Sequence, residues 1–415
     1  MPHLATAFIW ILSLGSILLM LLRPRGIAEA WWIGGGALLL VLTRLLPLSG
    51  AVHAIGEGLD VYLFLIGMML LAETARNEGV FDWMAGVAVG HARGSAARLF
   101  LLIYAAGTIV TIFLSNDATA VVLTPAVLAA VRRANMQPRP YLLICALIAN
   151  AASFVLPISN PANLVIFDAR MPPLPQWLRV FLLPSVISIV ATYLILYFLS
   201  KRQLTDTSED DSHVIPLTGA GKAALAGIVI SGVVLLVASG LGWQLGAPTC
   251  TVGVLAVLMA TLRNRRAALT VLRGVSWSIV PLVAGLFMIV EALNRGGMLQ
   301  IAERAMRWAA SLPTFAGKLT SGFAVALLSN GMNNLPVGLA SGSALRHAQL
   351  SGAIQHAVLI GVDLGPNLSV TGSLATILWL IALRREGVEI TGWEFLKTGM
   401  IAMPLALLAT LLVLF

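Results

Sequence analysis

Long apolar runs constrain this chain more than any other feature. They recur from end to end at about 17–24 residues, the length a helix needs to cross a bilayer. They lie near 4–22, 30–46, 59–75, 141–157, 177–200, 220–241, 250–262, 275–292, 352–383 and 395–415. A water-facing surface needs charge, yet only 11% of the 415 residues are charged and 59% are hydrophobic. A soluble domain carries about 25% charged residues, so most of this surface must face lipid. The runs show no apolar/polar alternation, which argues against a β-barrel and for an all-α polytopic membrane protein. The net charge of +8 is no nucleic-acid signal, because Lys and Arg gather at run ends, as the positive-inside rule expects. Cys145 and Cys250 form neither a CxxC nor a ligand spacing. The run at 4–22 has no basic flank before it and no small-residue cleavage site after it, so it reads as a retained first span.

Two segments do not fit as simple spans. Residues 98–134 are interrupted by Leu114-Ser115-Asn116-Asp117, and residues 318–346 by Leu328-Ser329-Asn330-Gly331. Each has room for two helices of about 15 residues. Both read as re-entrant helical hairpins with polar tips, a backbone tolerated at that depth only beside protein or a water-filled cavity. The spans near 141–168 and 352–383 read as broken helices, with breaks at Ser159-Asn160-Pro161-Ala162-Asn163 and Asp363-Leu364-Gly365-Pro366-Asn367. The polar stretch 201–217, with Asp206, Glu209, Asp210 and Asp211, is the one clear linker.

The halves 1–200 and 218–415 echo each other. Gly67, Glu73 and Gly79 have the spacing of Gly285, Glu291 and Gly297, and tips and breaks follow in the same order. Four pairings in one order argue for two repeats, each of five spans plus a hairpin. An odd span count inverts the second repeat. Placing Arg23, Arg25, Arg76, Arg93, Arg98, Arg132, Arg133, Arg139, Lys201, Arg202, Arg263, Arg265, Arg266 and Arg273 in the cytoplasm puts both termini outside. Arg295, Arg304, Arg307 and Arg346 then fall outside as well; the first three are assigned to an amphipathic surface helix.

Asn and Asp are costly within a membrane and usually functional there. The candidate solute-binding residues are Asn116, Thr119, Asn160, Asn163, Asn330, Asn333, Asn334, Asn367, Ser369 and Thr371. A broken helix bares N–H groups on one half and C=O groups on the other, partial charges that recognise a small polar solute. Pro125, Pro161, Pro336 and Pro366 help to hold the breaks. Asp117 is the only carboxylate at a tip, and Asp363 opens the second break; these are the candidate proton-coupling groups, against the plainer reading of helix caps. Glu73 and Glu291 read as solvated acids near span ends. The histidines, His356 among them, show no ligand spacing and read as loop or interfacial residues. No metal or catalytic residue is assigned.

The run Asn116-Asp117-Ala118-Thr119-Ala120-Val121-Val122-Leu123-Thr124-Pro125 resembles the NDGAALILTP stretch of ArsB-type bacterial arsenite-efflux permeases. Met332-Asn333-Asn334-Leu335-Pro336 resembles their MNN(M/L)P. Asp363-Leu364-Gly365-Pro366-Asn367 followed by Gly372-Ser373-Leu374-Ala375-Thr376 resembles their DLGP…GSLAT. The likeness runs in order along essentially the whole chain. One departure is Ser159-Asn160-Pro161-Ala162-Asn163, closer to the SNP/SNT style of the wider ion transporter superfamily than to VSNLVN. The resemblance implies a scaffold part and a transport part, an elevator-like mechanism, proton antiport with Asp117 as carrier, and the bacterial inner membrane. It also allows for a cytoplasmic arsenite-stimulated ATPase subunit and a homodimer. The chain itself carries no Walker A stretch, so it is read as a secondary transporter driven by protons, with no other cofactor and no enzyme activity.

Near neutral pH arsenite is mostly uncharged As(OH)3, and antimonite is its analogue. Their hydroxyls suit Asn, Ser, Thr and half-helix ends. A dicarboxylate carrier would call for Arg or Lys at the breaks, where none occurs. The alternative is a sodium/proton antiporter or sodium-coupled anion carrier of the same fold, with sodium on Asn116, Asn160, Asn163 and Asn367.

Overall fold

The computed structural model describes residues 2–167, 171–206, 216–263 and 265–414. These are helical with short breaks. The first half contains α1 (Pro2–Leu22), α2 (Glu29–Leu42), α3 (Leu48–Glu57), α4 (Leu59–Asn77), α5 (Val80–Ala92), α6 (Ala96–Phe113), α7 (Thr124–Arg133), α8 (Arg139–Ala151), α9 (Pro161–Phe167) and α10 (Leu174–Ser200). The second contains α11 (Gly219–Gly240), α12 (Gly246–Arg263), α13 (Arg265–Gly274), α14 (Ile279–Arg295), α15 (Met298–Ser311), α16 (Thr314–Met332), α17 (Asn334–Ala348), α18 (Ala353–Leu364), α19 (Leu374–Arg385) and α20 (Gly392–Leu412). Of the linker, residues 207–215 lie outside the described residues, and with them Glu209, Asp210 and Asp211. Asp206 is described: its carboxylate accepts from the Ala96 N–H at 2.7 Å and so caps α6.

Among the described residues six helical stretches are long and apolar enough to cross a membrane. They are Leu4–Leu22, Ala96–Phe113, Leu174–Ser200, Gly219–Gly240, Ala268–Arg295 and Gly392–Leu412. The pair α3 and α4, bent by 48°, makes a seventh if counted as one span. This is fewer than the ten runs in the sequence. The run at 30–46 ends as helix at Leu42, and the run at 141–157 at Ala151, where the first break begins. A helix of 13 residues, such as α8, reaches only about 20 Å, short of the ~30 Å hydrocarbon core. Apolar composition marks the run; where the helix stops within it depends on the break.

The halves interlock. α4 packs along α12 and α14 along α2, each a pairing between one half and the other. Gly67 and Gly253 bring α4 and α12 together backbone to backbone: a Cβ on Gly253 would stand 2.5 Å from the Gly67 carbonyl oxygen. Close backbone approach of this kind is how helices associate in lipid, where burial of apolar surface gives no driving force. Gly79 (φ 73°) and Gly297 (φ 94°) make the left-handed turns from α4 to α5 and from α14 to α15.

Arg304 and Arg307 lie on α15, as expected of a surface helix, and Arg307 bonds Glu303 at 2.8 Å. Arg295 does not: it closes α14 and pairs with Glu291 at 2.7 Å.

Candidate solute and ion-coupling site

Both predicted tips are breaks between helices. The first follows α6. Ser115 takes φ 146°, and residues 118–123 form a π-helical turn before α7 begins. Such turns are rare and frequently stand at functional sites. The second break falls later than the sequence suggested. Ser329, Asn330 and Gly331 complete the last turn of α16, and the chain turns at Asn333 (φ 75°). With ψ 150° this is a strained conformation that otherwise belongs to Gly, and the Asn333 side chain accepts from the Leu335 N–H at 3.4 Å to cap α17.

The second tip is tied to the second break. Asn330 Nδ2 donates to the Gly365 carbonyl at 2.9 Å, and Asn330 Oδ1 accepts from Ser369 at 2.6 Å. Thr371 donates to the Asn330 carbonyl at 2.8 Å, and its own carbonyl lies 3.5 Å from Asn333 Nδ2. Asn334 is buried at the start of α17.

The two breaks are bonded to each other. Asn160 Nδ2 donates to Asp363 Oδ1 at 2.8 Å, while Asn160 Oδ1 caps α9 by accepting from the Ala162 N–H at 3.0 Å. Asn163 folds its amide back onto the first break, donating to the Ser153 carbonyl at 3.0 Å. Asn367 Oδ1 accepts from Asn150 Nδ2 at 2.9 Å. All five of Asn150, Asn160, Asn163, Asp363 and Asn367 are buried, and four of their polar atoms have no partner: Asn150 Oδ1, Asn163 Oδ1, Asp363 Oδ2 and Asn367 Nδ2. A buried polar group without a partner is costly, so these four atoms at the two breaks are the ones still able to take a polar ligand.

The first tip is different. Ser159 joins it to the first break by donating to the Ile112 carbonyl at 3.0 Å. Thr119 turns inward and shares a hydrogen bond with Thr111 at 2.8 Å. Asn116 Oδ1 accepts from the Asp117 N–H at 3.0 Å, but the Asp117 carboxylate takes no hydrogen bond from the described residues. It faces an open crevice with about 600 Å³ of empty space, lined also by Ser115, Pro161, Ser276 and Glu73. A second crevice of about 610 Å³ lies toward the opposite end of α4, between Asp60, Glu291, Ser343 and Arg346.

Three readings need correction or addition. Glu73 is not a solvated acid: it is buried and held by Arg76, its neighbour one turn on. His356 is not in a loop but in the first turn of α18, its ring edge-on to Phe181 at 5.3 Å. Asn150 is a further polar residue of the site, in the last turn of α8 and nine residues before Ser159; an Asn inside an otherwise apolar run is its signal in the sequence. Cys145 is buried away from the breaks, its thiol 3.6 Å from the Tyr141 carbonyl.

Residues 16–360 match the family described as Citrate transporter (CitMHS). The chain is 28% identical over 416 residues to the arsenical pump membrane protein of Yersinia enterocolitica, covering 95% of each chain. It is 27% identical over 418 residues to that of Escherichia coli K12, again covering 95% of each. A putative arsenical pump membrane protein of Bacillus subtilis is 25% identical over 425 residues, covering 94% of each. Among solved structures, the YdaH transporter of Alcanivorax borkumensis superposes with a TM-score of 0.59 at 16% identity, over 100% of this chain and 97% of that one. The all-helical fold is thus shared with a known transporter, and the chain belongs to the CitMHS citrate transporter family: it is a multi-pass secondary transporter, not an enzyme.

Proposed function

We propose that this transporter expels trivalent arsenite and antimonite, as the neutral hydroxides, in exchange for protons across the bacterial inner membrane. The observation that carries the reading is the crevice at the first tip. It ends on a carboxylate without a hydrogen bond, it offers the hydroxyls of Ser115 and Ser276, and no Arg or Lys lines it among the described residues. A neutral polyhydroxyl solute suits such a crevice, and Asp117 is then the group that takes and releases the proton, with Asp363 second. The name carried by the relatives from Yersinia, Escherichia and Bacillus supports the same substrate class.

The working architecture is two inverted repeats with re-entrant hairpins at α6–α7 and α16–α17 and both termini outside. The reciprocal pairing of α2 with α14 and of α12 with α4 supports it, as does the pairing of α10 with α20. The hydrogen bonds joining tips and breaks support their movement as one body in an elevator-like step. A homodimer and an arsenite-stimulated ATPase subunit belong to the same reading.

A second reading, sodium coupling, is favoured by one observation: the unpartnered oxygens of Asn150, Asn163 and Asp363, the donor set a sodium ion prefers. Arsenite accumulation in everted vesicles separates the two, with an imposed proton gradient and with or without sodium. Accumulation that follows the proton gradient and ignores sodium supports proton antiport. A requirement for sodium moves the function to the second reading, and no accumulation removes arsenite as substrate.

A further inference from the structure

Glu73 lines the same crevice as Asp117. It sits near the end of α4, six residues beyond Gly67, where α4 is fixed against α12. Its side chain is 8% exposed, whereas that of its partner Arg76 is 51% exposed. The carboxylate is held at several points: Arg76 Nε donates to Oε2 at 3.0 Å and Arg76 NH2 to Oε1, with Asn77 Nδ2 at 3.4 Å. It also rests on Gly274, the last residue of α13, where a Cβ would overlap it. A buried carboxylate is thus seated at a fixed place in the crevice wall, and its counter-charge is half-exposed outside it. Water screens the guanidinium more than the carboxylate, so the field inside the crevice is negative. Glu73 and Asp117 are its only charged lining residues among those described, whereas the opposite crevice also contains Arg346.

We infer that Glu73 is a specificity-determining residue that keeps multiply charged anions from reaching Asp117. The inference rests on reading the crevice as the solute path. Repulsion scales with the charge of the solute, so it acts on citrate or arsenate and leaves uncharged As(OH)3 alone. A member of the citrate transporter family would in this way be closed to citrate by one side chain of its scaffold.

Arsenite uptake into everted vesicles, with citrate as competitor, tests this. In the unaltered protein citrate does not inhibit. In Glu73→Gln arsenite uptake persists and citrate inhibits at a concentration at least about tenfold below the highest that leaves the unaltered protein unaffected, and Glu73→Asp restores exclusion. A Glu73→Gln protein that moves arsenite and still ignores citrate overturns the inference and leaves the proposed function standing. Failure of the unaltered protein to move arsenite removes the proposed function instead. If Glu73→Gln does not reach the membrane, Gly274→Ala decides: it keeps the charge but pushes it from its seat. Citrate inhibition of that variant supports the inference, and none overturns it.

Discussion

At the first tip Asn116 bonds the neighbouring backbone N–H and the Asp117 carboxylate stands free in a crevice; at the second, Asn330 alone joins Ala326, Gly365, Ser369 and Thr371. Both tips break an apolar helix with a polar run, but their chemistry differs. At the second, the Asn330 side chain has its hydrogen-bonding capacity filled by protein partners, which makes it a brace for the second break. The first keeps an ionisable group without a hydrogen bond beside a π-helical turn, and on the proposed reading this is where protonation acts. Similar residue types at two helix breaks therefore do not imply similar roles; what matters is whether their polar atoms are already bonded.

The largest expected effect tests the open tip. Asp117→Asn keeps the shape of the side chain and removes the charge, so proton-driven arsenite export should fall to the level of vesicles without the protein, at unchanged membrane abundance. Full proton-driven export in that variant would move the coupling role to Asp363. The braced tip should respond in stability. Asn330→Ala removes the side-chain bonds to Ala326, Gly365 and Ser369, at about 0.5–1.5 kcal/mol for each hydrogen bond lost, while Thr371 keeps its bond to the backbone carbonyl. Thermal unfolding in detergent should show a clear loss that Asp117→Asn does not. Asp363→Asn should preserve the bond to Asn160, because an amide oxygen accepts as a carboxylate oxygen does. Its export, measured as the accumulation ratio at fixed proton gradient, should fall less than that of Asp117→Asn. Asn150→Ala removes the bond to Asn367 and a longer one to the Ala146 carbonyl, and a double-mutant cycle with Asn367→Ala, which isolates the former, should return a coupling of about 0.6–1.7 kcal/mol, the range for such bonds in membranes. Cys145→Ser with Cys250→Ser should leave arsenite export unchanged; a loss would reveal a thiol relay.

Much of the candidate site was legible because polar residues stand out in apolar runs. Asn116, Asp117, Asn160, Asn163, Asp363 and Asn367 were each found by that contrast, and the structure brings the breaks that hold them together. Thr119 shows where the method stops. Its position beside the tip made it a candidate, and its bond to Thr111 turns it into the hairpin. Glu73 shows the opposite error. A Glu near a helix end with an Arg one turn on usually faces water, and only the approach of α13 at Gly274 buries it. The second tip moved by three residues because Ser, Asn and Gly do not by themselves end a helix. The Ser329 hydroxyl bonds the Val325 carbonyl within α16, and the helix continues to the residue that takes positive φ.

The sequence by itself determined that this chain spans a membrane as helices and, to within about one helical turn, where polar residues interrupt them, since both follow from hydropathy and from the cost of polar groups in lipid. It also carried the motifs that mark its relatives. Only the tertiary structure decided which polar atoms are already bonded and which remain open. That depends on partners more than two hundred residues away, as Asn150 meets Asn367 and Asn160 meets Asp363, and no local pattern encodes such a meeting.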